Sequence, residues 1–350
     1  MQRPLAVTLG EPAGIGPELL ARLWRERSAH GLAPFVWIAP PALAARRLPD
    51  APLIAVERAG EAAESFEAGI PLLWPTEAAE SARADPARLE PGRPDPAFAP
   101  VVSASIAAAV ALARRHEVAG LVTLPIHKAA LAAGGFSFPG HTEYLAHLAG
   151  VRPGDVAMMF VLDDLRVVPL TIHCPLAEVP GRITPALLAR RIGATVRALV
   201  HDFGIPAPRI AVAGLNPHAG EGGLMGREEA DVIAPVLARL REEEGMDLVG
   251  PLPADSLFAA PSRSRFDAIV AMYHDQALIP VKTLDFARAV NVTLGLPFVR
   301  TSPDHGTALE LVGTGRADPG SLLEALRLAA ALARRRAARG AAPARVRGEG

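Results

Sequence analysis

Three histidines in this 350-residue chain stand just after apolar, β-branched runs: His173 after LRVVPLTI, His218 after RIAVAGLNP and His274 after FDAIVAMY. Such runs read as strands buried on both faces, and an open parallel sheet binds ligands outside the carboxyl ends of its strands. Neutral imidazole is a common transition-metal ligand, and three protein donors with one open position is the catalytic zinc pattern. A single histidine so placed most simply bonds a backbone carbonyl. Three at equivalent positions, with Asn216 and Asp275 alongside, point to a divalent metal.

A second set of residues suits an anion. In FPGHTEYLAHLAG (138–150), Pro139-Gly140 makes a turn and Thr142 is the expected N-cap of the helix that follows. That places His141 and Thr142 where free N–H groups and the positive dipole end attract negative charge. Downstream, Lys282, Asn291 and Arg300 supply a cation, an amide and a second cation within twenty residues. Lysine with a forked guanidinium suits a phosphate or a carboxylate. Two glycine-rich stretches, NPHAGEGGLMGREEAD (216–231) and GEPAGIGPELL (10–20), lie between a strand and a helix. Neither is a GxGxxG or Walker A sequence. The first reads as a loop able to approach a ligand closely, the second as a tight strand–helix turn.

Composition sharpens the choice of residues. The chain is rich in Ala, Arg, Gly and Pro, and of its 36 Lys and Arg residues only Lys128 and Lys282 are lysine. Asn, Tyr and Gln occur twice each. A type rare against such a bias belongs where its own chemistry is needed, and lysine is a compact charge whose pKa shifts readily. A formal charge of −1 argues against nucleic-acid and anionic-membrane partners. The single Cys174 excludes a disulfide framework and a cysteine-only metal site. No run of roughly 18–20 apolar residues stands out and the first residues do not form a signal peptide, so a soluble, cytoplasmic protein is expected.

These side chains need a scaffold. Apolar runs at 5–10, 34–40, 119–126, 165–173, 209–216 and 266–275 alternate with helical patterns such as 101–116, 183–204 and 228–245. That alternation predicts an α/β protein with parallel sheets, long enough for about two domains. The stretch from Pro75 to Pro100 reads as a long surface connection, and 331–349 as a basic, frayed tail. The residues alone thus indicate an α/β enzyme with a three-histidine metal and a small anionic substrate. They leave a dehydrogenase, a metallohydrolase and a metal-dependent lyase open.

Taken together, VTLGEPAGIGPEL, FPGHTEYLA, LNPHAGEGGLMGREEAD, GPLPADSLF, AMYHDQALIPVK and VNVTLGLPFVRTSPDHGTALEL resemble the 4-hydroxythreonine-4-phosphate dehydrogenase family of pyridoxal phosphate biosynthesis, over nearly the whole chain. The resemblance implies two α/β/α subdomains with parallel or mixed sheets, like those of isocitrate and isopropylmalate dehydrogenases. Residues 1–125 plus 281–335 would form the first, 126–280 the second with the metal ligands, and 336–350 a flexible tail. It implies a homodimer with shared active sites in the interdomain cleft. His173, His218 and His274 match the metal ligands, supplied from both subunits. His141, Thr142, Lys282, Asn291 and Arg300 match the substrate contacts. Asp255 and Asp275 match carboxylates that support the site, and Lys282 is placed to assist proton transfer. The cofactors implied are NAD or NADP and one divalent metal: zinc, magnesium or cobalt. The substrate implied is 4-phosphooxy-L-threonine, oxidised at C3 and then decarboxylated. Other 4-phosphorylated hydroxy acids, such as phospho-threonate or phospho-erythronate, are the alternative, and a metal-dependent phosphatase or lyase the more distant one. The chain departs from the family pattern at Leu124, where Gly is expected, and at Leu224, where some members carry His.

Overall fold

The computed structural model describes residues 3–340. Its strands are β1 (Leu5–Thr8), β2 (Phe35–Ile38), β3 (Leu53–Ala55), β4 (Ile70–Leu73), β5 (Gly120–Val122), β6 (Ala157–Leu162), β7 (Leu165–Pro169), β8 (Arg209–Ala213), β9 (Asp247–Leu252), β10 (Ala268–Ala271), β11 (Val290–Leu294) and β12 (Arg300–Pro303). They form one continuous sheet in the order β3-β4-β2-β1-β5-β12-β11-β6-β7-β10-β8-β9. The expected α/β class with a mixed, mostly parallel sheet is what folds.

Two parallel blocks meet in the middle. From β3 to β12 all pairings are parallel, as they are from β7 to β9. Between them β11 runs antiparallel to both β12 and β6, and β6 antiparallel to β7. Three reversals leave the second block running opposite to the first. The carboxyl ends of β7, β10 and β8 therefore point the other way from that of β1, and the histidine loops and the GEPAGIG loop do not share a sheet edge.

Strands β1 and β2 are wholly buried because helices cover both faces, which removes the alternation a half-exposed strand would show. The alanine-rich helix Ala99–Arg114 packs against β1. Inside that contact Ser105 accepts from the Leu9 amide at 2.8 Å and donates to the Ile38 carbonyl at 2.6 Å, so a buried hydroxyl is satisfied twice and ties the ends of β1 and β2. By length and composition Pro96–Arg114 is apolar enough to cross a membrane; here that apolarity faces the sheet.

Two expectations change. The stretch from Pro75 to Pro100 is ordered: it forms helix Thr76–Ser81 and two short turns capped by Asp85 and Asp95, and buries Leu89 and Phe98. The carboxyl-terminal helix runs from Gly320 to Gly340, so residues 331–340 are not frayed. A buried stripe including Leu322, Leu326, Ala329 and Leu332 anchors it, and Arg336 forks onto Asp202 at 2.5 and 2.9 Å. The rest of the expected tail, 341–350, lies outside the described residues.

Candidate active site

Strands β7, β10 and β8 are immediate neighbours, so the loops that leave them start side by side. His173 and His274 meet there, with ring centroids 5.8 Å apart. Together with Cys174, Tyr273 and Asp275 they line a cavity of about 400 Å³. His274 opens the helix His274–Leu284, and its Nδ1 lies 2.8 Å from Asp275 Oδ1. With the Nδ1 proton donated to Asp275 the ring is oriented and Nε2 keeps its lone pair for a metal ion. Partial burial, with Lys128 and His274 nearby, lowers the pKa of His173, which favours the neutral imidazole a metal requires. Gln276 braces this end: its Oε1 accepts from the Met272 amide at 2.6 Å and its Nε2 donates to the Gly214 carbonyl at 2.8 Å. One rare glutamine thus links the ends of β10 and β8, a role the sequence reading did not assign.

His218 stands apart. It belongs to a turn, Pro217–Gly223, in which residues 218–222 all have positive φ, between 43° and 82°. Its side chain is 62% exposed, with Glu221 3.9 Å away. Among the described residues no group of three or more His, Cys, Asp or Glu is placed to hold a metal. Two of the three expected ligands converge within the chain and the third does not. Asp255 is exposed on the short helix Ala254–Leu257, which packs beside this turn, and has no charged partner among the described residues.

Of the glycines of 216–231, Gly220 and Gly226 pack against the chain itself, whereas the Cβ position of Gly222 meets open space. A Cβ on Gly220 would stand 2.8 Å from Glu229 Oε2, and one on Gly226 would collide with the Asn216 amide. The missing side chains make room for the chain's own Asn216 and Glu229. The glycines at 10 and 16 act alike, since a Cβ on either would press on Leu124. The departure at Leu124 is absorbed by a tight strand–helix turn. That turn buries Glu11 to 4% exposure, and burial pushes its pKa up to about 7 against the opposing hydrogen bond from the Ala13 amide.

Of the residues expected to hold an anion, Arg300 and Asn291 lie on β12 and β11 in the middle of the sheet, and His141 is near enough to Arg300 to feel its charge. Arg300 opens β12 and is 3% exposed. Its Nε and Nη2 donate to Thr123 Oγ1 at 3.1 and 2.6 Å, and its Nη1 to Thr293 Oγ1 at 2.8 Å. No carboxylate pairs with it among the described residues, and burial pulls its pKa down to about 9. Buried charges are normally paired, so a guanidinium held only by two hydroxyls is poised for an anion. His141 begins the helix His141–Ala149; burial, then Arg300 and Lys128, drives its pKa well below the usual value, and its Nε2 has no hydrogen-bond partner. Asn291, on β11 beside β12, has an unbonded Oδ1.

Gly140 caps that helix, and Thr142 is its second residue, not its N-cap. Lys128, which the sequence reading left without a role, extends to the same helix start: its Nζ lies 3.8 Å from where a Cβ on Gly140 would be. Lys282 sits 3.5 Å from Asp304 Oδ2 and 5.0 Å over the Phe286 ring. Burial raises the Asp304 pKa, with Lys282 opposing. The two lysines of the chain therefore both reach the candidate site.

This arrangement offers a pre-set cradle for an anion and, beside it, paired imidazoles suited to a cation. The sequence profile described as "Pyridoxal phosphate biosynthetic protein PdxA" matches residues 33–329. A curated relative from Ruegeria sp. (strain TM1040), named 4-hydroxythreonine-4-phosphate dehydrogenase, is 52% identical over 95% of this chain and 97% of its own length. A crystal structure of 4-hydroxythreonine-4-phosphate dehydrogenase from Klebsiella pneumoniae superposes with a TM-score of 0.82 at 37% identity, over 95% of this chain and all of that one. A terephthalate 1,2-cis-dihydrodiol dehydrogenase from Burkholderia xenovorans LB400 is further off, with a TM-score of 0.65 and 30% identity over 95% of this chain and 98% of its own. With a profile match over most of the chain and half of its residues shared with a full-length relative, the chain belongs to the PdxA family of pyridoxal phosphate biosynthetic proteins.

Proposed function

We propose that the protein oxidises 4-phosphooxy-L-threonine at C3 with NAD or NADP, giving 2-amino-3-oxo-4-(phosphooxy)butanoate, which loses CO2 to become 3-amino-2-oxopropyl phosphate. The observation that carries the reading is Arg300: a buried cation without a carboxylate, beside a neutral His141 and an unbonded Asn291 amide. A phosphate placed there neutralises the guanidinium, and the helix start at Gly140 with Lys128 adds further positive potential. The names of the relatives fit the same substrate.

His173, His274 and His218 would hold a divalent ion such as zinc, magnesium or cobalt. The first two fit on their own geometry: imidazoles side by side, His173 favoured neutral, and His274 oriented by Asp275. When bound, such an ion supplies Lewis-acid polarisation of the C3 oxygen, and a nicotinamide accepts the hydride. The chain's residues do the rest. Arg300, Asn291, His141 and Thr142 hold the phosphate end and so fix where C3 lies. Lys282 stands beside Asp304 to take the hydroxyl proton as the carbonyl forms, and to return a proton to C2 once the C1–C2 bond has broken. Asp255 lies next to the His218 turn and supports that loop.

The working unit in this reading is a cytoplasmic homodimer with shared sites, each chain dividing into one part from 1–125 plus 281–335 and another from 126–280. The large exposed apolar side chains support a second copy: Leu176, Leu224, Met225, Ile279, Leu284 and Phe286 all lie on the segments that carry His173, His218, His274 and Lys282. A second copy docked there would cover them and bring in the missing ligand. The test is turnover of the purified protein with a panel of 4-phosphorylated hydroxy acids, NAD or NADP and added divalent metal. Reduced nicotinamide should accumulate with 4-phosphooxy-L-threonine. Accumulation with phospho-threonate or phospho-erythronate instead would move the assignment to a sister dehydrogenase, and phosphate release without reduction would replace it with a phosphatase.

A further inference from the structure

Left-handed backbone brings a Cβ against its own carbonyl, so a run of it needs a device to hold it. Residues 218–222 form such a run, and His218, Ala219 and Glu221 within it all carry side chains. The device lies behind the turn. Glu229 is 4% exposed; its Oε1 accepts from the Asn216 backbone amide at 2.7 Å and its Oε2 from Asn216 Nδ2 at 3.0 Å. Glu228 Oε2 accepts from the same Nδ2 at 2.8 Å. Gly214 and Gly220 leave the space that the Glu229 carboxylate fills, and Gly226 the space that Asn216 fills. Every donor of Asn216, the residue that caps the turn, is thus engaged before His218 begins.

We propose that Glu229 is the positioning residue for His218: by closing the donors of Asn216 it sets the left-handed turn that presents the imidazole to solvent. This rests on the reading of His218 as a metal donor.

The experiment uses the full-length protein and zinc as the probe, with zinc affinity measured by competition against a chelating dye. The variants are Glu229→Gln, His218→Ala and the two combined. Glu229→Gln keeps the shape but offers Asn216 one acceptor where it had two. Zinc affinity should fall by about 10- to 100-fold, the range for a residue that orients a ligand. In the His218→Ala background the same change should add nothing, because its effect runs through that imidazole. Far-UV circular dichroism checks the fold. If Glu229→Gln proves unfolded, Glu229→Asp replaces it, which keeps the charge but draws the carboxylate back from Asn216. Equal losses in both backgrounds, or wild-type affinity in Glu229→Gln while His218→Ala has lost zinc, overturns the proposal. If His218→Ala itself keeps wild-type affinity, the donor reading fails and the positioning role falls with it, an outcome visible in that single variant alone.

Discussion

Arg300 is 3% exposed and fixed by two threonine hydroxyls on neighbouring segments, whereas the His218 side chain is 62% exposed on a left-handed turn. At the expected anion end the buried cation and its two hydroxyl partners come from one chain, and the electrostatic cost of burying Arg300 is already present. The histidine end is half finished, with two imidazoles in contact and the third elsewhere. Pre-set burial suits a group that must be held the same way in every turnover. An incomplete metal set surrounded by exposed Leu224, Met225 and Ile279 suits completion by a second chain.

The sharpest way to break this contrast is to mix inactive variants. His173→Ala, His218→Ala and His274→Ala should each abolish turnover. If one chain supplies His173 with His274 and its partner supplies His218, mixing His173→Ala with His218→Ala chains should restore about a quarter of wild-type activity, since half of the dimers pair unlike chains and each of those holds one intact site. Mixing His173→Ala with His274→Ala should restore nothing, because both lesions fall on the same half-site. Recovery in the second mixture, with exchange proven by mass spectrometry, would mean that the contact between His173 and His274 is not the one used in catalysis.

How far the sequence foretold this contrast depends on which residue is asked. The three histidines were readable as strand-end residues because apolar runs mark the strands and parallel neighbours place their ends together. Arg300, Asn291 and His141 were readable as polar types in an anion-binding pattern. The burial of Arg300 was not, because it comes from β12 lying between β5 and β11 in the sheet centre, a pairing of distant segments. The left-handed turn was hidden for the same reason: the residue that caps it, Asn216, bonds to Glu229, which arrives from the next helix. Thr is preferred over Gly at helix starts in general, which made Thr142 the expected cap, while the helix begins two residues earlier, after Gly140. Leu124 looked like a defect until the glycines at 10 and 16 showed the space it fills.

The anion end is tested next, with a smaller effect. Arg300→Met removes the guanidinium but keeps most of the volume. Hydrogen bonds to a charged group are worth roughly 1.5–3 kcal/mol, so kcat/KM for the phosphorylated substrate should fall by about tenfold to a hundredfold or more. With the dephosphorylated acid the change should matter little. Melting should move the other way: an unpaired buried cation weakens the fold, so Arg300→Met should melt no lower than wild type in the absence of ligand. Saturating phosphate should raise the melting temperature of wild type and not of the variant. Equal kinetic losses with both substrates would make Arg300 a structural residue, and a large drop in melting temperature would mean that the two threonines already compensate its charge.

The smallest effect asks whether burial alone, with no ligand to bind, gives an ionisable group this poised character. Glu11 provides the control, since it is buried in the turn after β1 and accepts a backbone amide from Ala13, yet belongs to neither end of the site. Its pKa is raised from 4.5 to about 7 in the folded protein, so the folded state binds its proton more tightly than the unfolded state does. The associated stability is therefore fully present below pH 4.5 and is lost as pH rises through 7. A shift of that size corresponds to on the order of 3 kcal/mol, less whatever relaxation of the turn recovers, and so to a few degrees of melting temperature. Glu11→Gln, neutral at every pH, should melt a few degrees above wild type at pH 8 and show no advantage at pH 5. The difference should grow as pH rises from about 4.5 and level off above about 7, the two pKa values that bound a single-proton linkage. A difference independent of pH would assign the effect to packing against Leu124 and not to the charge, and burial would then not suffice to explain why Arg300 is poised.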